Sequence, residues 1–239
     1  MRLARYLRSS LKKWVFGCAK SSKANNRLMV TEETIILVHG LWMTGTEMTL
    51  IKRRLRARGY HVHQFRYRMV MRTLEQNQVK LKSFIEKYAA DKVHIIGHSL
   101  GGVLALQTLQ LYPDLPVERV ICLGSPLVDS AAGRRIFQLK AGRAMLGKTL
   151  PEAVFKTPLR SWSGPQGVGV IAGNRGFGLG KIVGALPKPN DGVVSVAETC
   201  LPGIDDHIEI PRGHTGLLLS SLVAAQCAWF IRHGKFRRY

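Results

Sequence analysis

A chain of 239 residues with 46% apolar and 21% charged side chains can bury a real core, which excludes global disorder and allows one large α/β domain or two small ones. Lys and Arg number 36 against 15 Asp and Glu, a formal charge of +21. Such a field either solubilises the surface without a dedicated partner or attracts a polyanion, anionic lipid or nucleic acid. No RNP motif, zinc-finger spacing or basic-plus-heptad pattern occurs, so specific nucleic-acid binding is not expected.

Residues 1–30 form a basic N-terminal segment; no acid precedes Glu32. Leu3, Leu7, Leu11, Trp14 and Cys18 fall on one helical face with Arg and Lys around the rest. That pattern suits a helix lying on an anionic membrane surface, and equally an ordinary helix packed on the domain. The segment lacks the apolar core of a signal peptide, since only Trp14–Ala19 is uncharged between Lys13 and Lys20. No apolar stretch approaches the ~18–20 residues of a membrane span. Cys18, Cys122, Cys200 and Cys227 are far apart and form no C-x-x-C pair, so neither a zinc site nor a disulfide scaffold has a spacing to rest on. A cytoplasmic location follows as the expectation, with peripheral contact at the inner face of the membrane.

Residues 31–239 read as one domain. Thr34–Val38 is a continuous apolar run of strand length, suited to burial on both faces of a parallel sheet. Met48, Leu50, Ile51 and Leu55 follow at helical spacing, and Gly59 is placed to end that helix. Tyr60–Phe65 alternates like a strand. Thr73-Leu74-Glu75-Gln76 is a capping box that opens the next helix. A strand at 93–97 runs into a helix reaching Tyr112, and Arg119–Leu123 is again a strand. Between 126 and 167 the alternation breaks. An amphipathic helix carrying Ile136, Phe137, Leu139 and Ala144–Leu146 is followed by Pro151, Pro158 and Pro165, an insertion that serves either as a lid or as plain packing. Val168–Ala172 and Asp206–Ile210 are the last strands, and a final helix spans about 215–231. Strands alternating with helices imply crossover units and a mainly parallel sheet with helices on both faces.

The chemistry centres on Gly97-His98-Ser99-Leu100-Gly101-Gly102, a G-x-S-x-G pattern between a strand and a helix. A serine in so sharp a turn presents its hydroxyl above the sheet edge. Serine is a weak nucleophile and needs a base held by a third group. His214 follows the last strand in Arg212-Gly213-His214-Thr215, where an open α/β sheet places its site. Asn190-Asp191-Gly192 is a turn that can present one carboxylate, with Asp129 as the second candidate acid. The order Ser99, Asp191, His214 is the one an elbow serine requires. The backbone N–H groups of Leu100, just past the serine, and of Leu41, in the His39-Gly40-Leu41-Trp42 loop, are the candidate oxyanion donors.

With these motifs in order, the chain resembles the α/β-hydrolase fold over about residues 34–232, and within it the bacterial lipase and esterase group with a His-Gly oxyanion loop. The resemblance implies hydrolysis of carboxylic esters through an acyl-enzyme. It gives Ser99 as nucleophile, Asp191 as acid, His214 as base, Leu41 and Leu100 as oxyanion donors, and no metal or cofactor. The expected partner is an acyl-ester or lipid substrate. A thioesterase or acyltransferase on the same triad is the neighbouring alternative; a non-catalytic membrane- or polyanion-binding protein on the same scaffold is the distant one. Oligomeric state has no signal in the sequence. Two lookalikes stand apart. Gly142–Thr149 fits the phosphate-loop pattern G-x-x-x-x-G-K-T without the strand before it, and Gly167–Ala172 mimics a dinucleotide fingerprint from within a strand.

Overall fold

Six strands form one sheet in the computed structural model, which describes residues 33–89, 92–176 and 186–238. The strands are β1 (Glu33–Val38), β2 (His61–Phe65), β3 (Lys92–His98), β4 (Val117–Leu123), β5 (Gly167–Gly173) and β6 (Asp206–Ile210). Their order is β2-β1-β3-β4-β5-β6, and every neighbouring pair runs parallel. This is the α/β-hydrolase fold with helices on both faces. The basic N-terminal segment lies outside the described residues.

Both faces of the four central strands are apolar, which is why β1, β3, β4 and β5 show continuous apolar runs, whereas the edge strands β2 and β6 carry exposed polar residues. Ile36, Val38, Ile95, Val120, Cys122 and Val170 point to one face, where they pack with Leu81 and Ile85 of α2 (Leu74–Glu86) and with α3 (Leu100–Leu111). Ile35, Leu37, Ile96, Ile121, Leu123 and Ile171 point to the other, against α1 (Thr49–Arg56) and the C-terminal helix. Each fully buried side chain of this size contributes roughly 1.5–3 kcal/mol. The capping box is formed: Thr73 Oγ1 accepts from the Gln76 N–H at 3.2 Å and Gln76 Oε1 from the Thr73 N–H at 3.3 Å. Gly59 ends the α1 region at a φ of 95°. Among the described residues, no helix is long and apolar enough to cross a membrane.

The structure departs from the sequence expectation at two helices. The single amphipathic helix expected through 136–146 is two, α4 (Ala131–Gln138) and α5 (Lys140–Leu146), broken where Leu139 takes an extended backbone. The turn is tight: a Cβ on Gly142 would lie 1.8 Å from the Ile136 carbonyl oxygen. The last helix likewise splits into one turn, Gly216–Leu219, and α6 (Ser221–His233). Ser220 interrupts it, and its side chain accepts from the Val223 N–H. A six-residue π-helical segment, Pro151–Lys156, and the single turn Val196–Thr199 had no periodic signal to reveal them.

Candidate active site

Ser99 joins β3 to α3 at φ 54° and ψ −127°, a conformation rarely adopted by a residue with a Cβ. Its N–H donates to the Leu123 carbonyl at 2.9 Å, and its own carbonyl accepts from the Gly102 N–H at 3.1 Å. The glycines make the turn possible by close approach. A Cβ on Gly97 would sit 2.4 Å from Gly102 Cα, and one on Gly101 2.2 Å from the Val38 carbonyl oxygen. The Ser99 side chain caps no amide of α3 and lines a cavity instead.

His214 and Asp191 meet across that cavity's rim. The His214 Nδ1–H donates to Asp191 Oδ2 at 2.6 Å, and the His214 backbone N–H donates to the Asp191 carbonyl at 2.9 Å. The other carboxylate oxygen of Asp191 accepts from the N–H groups of Val193 (2.9 Å) and Val194 (2.7 Å). The acid is almost wholly buried, with 1% of its side chain exposed. With the proton on Nδ1, a neutral imidazole carries a bare, basic Nε2. Ser99 and His214 line the same cavity without a hydrogen bond between them; contacts of this kind often tighten only when substrate binds.

The cavity, about 190 Å³, is mainly apolar, lined by Leu41, Leu100, Ile136, Leu146, Leu150 and Val194 among others, with the hydroxyl side chains of Ser130 and Thr215 also on its wall. The His39–Trp42 loop crosses directly over the serine: a Cβ on Gly40 would lie 2.9 Å from Ser99 Cβ. Tyr67 holds this loop by donating its hydroxyl to the His39 carbonyl at 2.9 Å, and burial raises the Tyr67 phenol above its ordinary value. The Leu100 N–H opens α3, where no intrahelical acceptor exists for it.

Asp129, the second candidate acid, and the other acids and histidines near these loops are placed elsewhere. Asp129 is half exposed and paired with Arg134 at 2.7 Å. Asp205 accepts from the Val168 N–H, and Asp206 from Arg238 and the Phe236 N–H. His207 bonds Thr199, and His233 packs on Trp229. His98 is buried beside His214, its Nε2–H donating to the His214 carbonyl at 3.1 Å. Burial and the nearby His214 ring hold its pKa well below the ordinary 6.5. The phosphate-loop lookalike anchors the cap: the Lys148 N–H bonds the Val70 carbonyl, and Thr149 bonds Arg72 and Asn77. The dinucleotide lookalike is β5 itself. Among the described residues, no three His, Cys, Asp or Glu side chains gather as a metal site would require.

Sequence reasoning missed two residues. Gly124, with φ 54°, lies against the Asp191–His214 pair; a Cβ there would fall 2.9 Å from Asp191 Oδ2 and 3.2 Å from His214 Nδ1. Glu198 is buried between the acid loop and the cap. Its carboxylate accepts from the Ser195 N–H and hydroxyl on one side and from the Ala131 N–H, at the start of α4, on the other. The Ser195-x-x-Glu198 capping box was legible, but nothing local tied it to residue 131.

Residues 35–178 match the sequence profile of the alpha/beta hydrolase family. That stretch contains Ser99 and ends before Asp191 and His214. The mature lipase of Bacillus licheniformis is similar in structure, with a TM-score of 0.65 at 16% identity over 84% of this chain and 91% of the lipase. A metagenomic carboxyl esterase gives 0.60 at 17% identity over 77% and 65%. A thioesterase domain solved with a bound dodecadepsipeptide gives 0.55 at 15% identity over 87% and 96%. At such identities the likeness is one of fold. No curated protein matches this sequence.

Proposed function

The chain belongs to the alpha/beta hydrolase family, and from that premise we propose that it is a serine hydrolase cleaving carboxylic esters through an acyl-enzyme. The observation that carries this reading is the Asp191–His214 hydrogen bond at the rim of the cavity that Ser99 lines. In the proposed cycle the His214 Nε2 takes the Ser99 hydroxyl proton as Oγ attacks the ester carbonyl. Asp191 stays ionised and stabilises the imidazolium that forms. The N–H groups of Leu41 and Leu100 receive the developing oxyanion. His214 then gives its proton to the leaving alcohol, and water releases the acyl group by the same steps in reverse. The substrate is neutral and apolar on its acyl side, because no Lys, Arg, Asp or Glu side chain lines the cavity. The His-Gly loop and GHSLGG elbow support a place among the lipase and esterase relatives.

A panel of acyl esters of graded chain length tests the reading. The wild type turns over one or more of them, and Ser99→Ala lowers kcat by up to about 10⁶-fold while the melting temperature stays near that of the parent. Full activity in Ser99→Ala overturns it. The similarity to a thioesterase domain supports a second reading, in which the same triad acts on thioesters; faster turnover of acyl-thioesters than of matched esters would favour that one. The basic N-terminal segment is proposed to carry the enzyme to an anionic membrane, and removal of residues 2–23 then weakens vesicle binding.

A further inference from the structure

Five exposed apolar side chains lie on adjoining parts of the described surface, beside the cavity. Met71, Leu139 and Met145 are exposed by 67%, 64% and 53%, and Trp42 and Val70 complete the group. Their proximity is fixed by backbone contacts. The Trp42 indole N–H donates to the Met145 carbonyl at 2.7 Å, and the Lys148 N–H to the Val70 carbonyl at 3.2 Å. Leu139 is the break between α4 and α5, the two helices that pack together here. Trp42 of this group lines the cavity, as do Ile136 and Leu146 of the same two helices, so the patch borders the cavity mouth.

The same surface is strongly basic. Residues 130–151 hold Arg134, Arg135, Lys140, Arg143 and Lys148 and no carboxylate. Arg68 and Arg72 flank Met69–Met71. Of these cations Arg134 pairs with Asp129. Arg143 lies over the Phe137 ring at 5.1 Å and Arg134 over the Phe155 ring at 5.0 Å, so the guanidinium groups are held on the cap by its aromatic side chains.

We propose that this rim is a docking surface for an anionic lipid bilayer, seating the cavity mouth directly on the membrane. Protruding aliphatic side chains ringed by cations match an interface with apolar interior and anionic headgroups. A nucleic-acid surface would meet Lys and Arg with phosphate and leave Leu139 and Met145 without apolar contact. A second copy of a chain carrying +21 would set like charges face to face. The residues of this surface are not those of the basic N-terminal segment, and its function does not depend on the chemistry at Ser99.

The test uses the full chain carrying Ser99→Ala, so that turnover plays no part, with vesicles of equal parts phosphatidylglycerol and phosphatidylcholine. The double variant Leu139→Asp/Met145→Asp is expected to partition at least tenfold more weakly than its parent, and the parent to bind pure phosphatidylcholine vesicles weakly. Lys140→Gln/Arg143→Gln, which leaves the apolar contacts in place, is expected to lose binding to the anionic vesicles as well. Hydrolysis of a soluble short-chain ester by each double variant with Ser99 restored reports an intact fold. Partitioning unchanged in both double variants overturns the proposal, as does equal parental binding to neutral and anionic vesicles.

Discussion

At the elbow, the backbone of β3 and α3 approaches itself and Val38 so closely that a single methyl group on Gly97 or Gly101 would overlap backbone atoms. Across the cavity, α4 and α5 are joined by the extended Leu139, and the segment is held to the domain by the buried Leu146, Leu150, Ala153 and Val154 together with individual polar contacts. Gln107 donates to the Ala153 carbonyl, Asn77 to Thr149, and the Leu74 N–H to Glu152. The contrast separates two tasks. Attack on a carbonyl needs donors and base fixed to fractions of an ångström, and a parallel sheet edge supplies that rigidity. Selection among acyl groups needs only a wall of suitable shape, and in the proposed reaction the side chains of α4 and α5 that line the cavity would supply it.

Substitutions on the rigid side are expected to cost most. Asp191→Asn keeps the shape and removes the carboxylate that holds the imidazole tautomer, so kcat falls by about 10⁴-fold. Asp129→Asn, which breaks only a surface pair, leaves steady-state hydrolysis near the parental rate. Equal losses in the two would remove the distinction between them. Gly124→Ala places a methyl group against both Asp191 Oδ2 and His214 Nδ1. A displacement of about 1 Å there is expected to lower kcat by about 10²-fold, with KM little changed. On the cap side, Ile136→Trp fills part of the cavity and shifts preference toward shorter acyl chains by about tenfold in kcat/KM. A variant with unchanged chain-length profile would show that the cap does not form the acyl wall.

The smallest expected effect concerns stability. His94 is buried in β3 with neither ring nitrogen hydrogen-bonded, and burial lowers its pKa from 6.5 to about 4. Between those values the unfolded chain binds a proton that the folded chain refuses, so stability falls as pH drops from 6.5 toward 4. His98, lowered by the same cause, acts in the same direction. Melting temperatures at pH 7.5 and pH 5 should differ less in His94→Leu than in the wild type.

The sheet was legible in the sequence because a parallel strand buried on both faces reads as an unbroken apolar run, as Thr34–Val38 and Val168–Ala172 do. The elbow was legible because its glycines are demanded locally. His214 and Asp191 emerged from chain order and from the loops they occupy, and their hydrogen bond confirms their proximity. Gly124 and the contact of Glu198 with Ala131 were hidden for the same reason: the partners lie more than 60 residues apart, and no short pattern records such a contact. The break at Leu139 was hidden because apolar spacing continues across it, while the backbone turns to bring Gly142 against Ile136.

The central claim is that Ser99 is the nucleophile. Labelling with a fluorophosphonate probe, followed by mass spectrometry of the modified peptide, tests it most directly. The expected result is one adduct, on Ser99, that disappears in Ser99→Ala. A wild-type protein that resists the probe, or an adduct that persists in Ser99→Ala, would contradict the account.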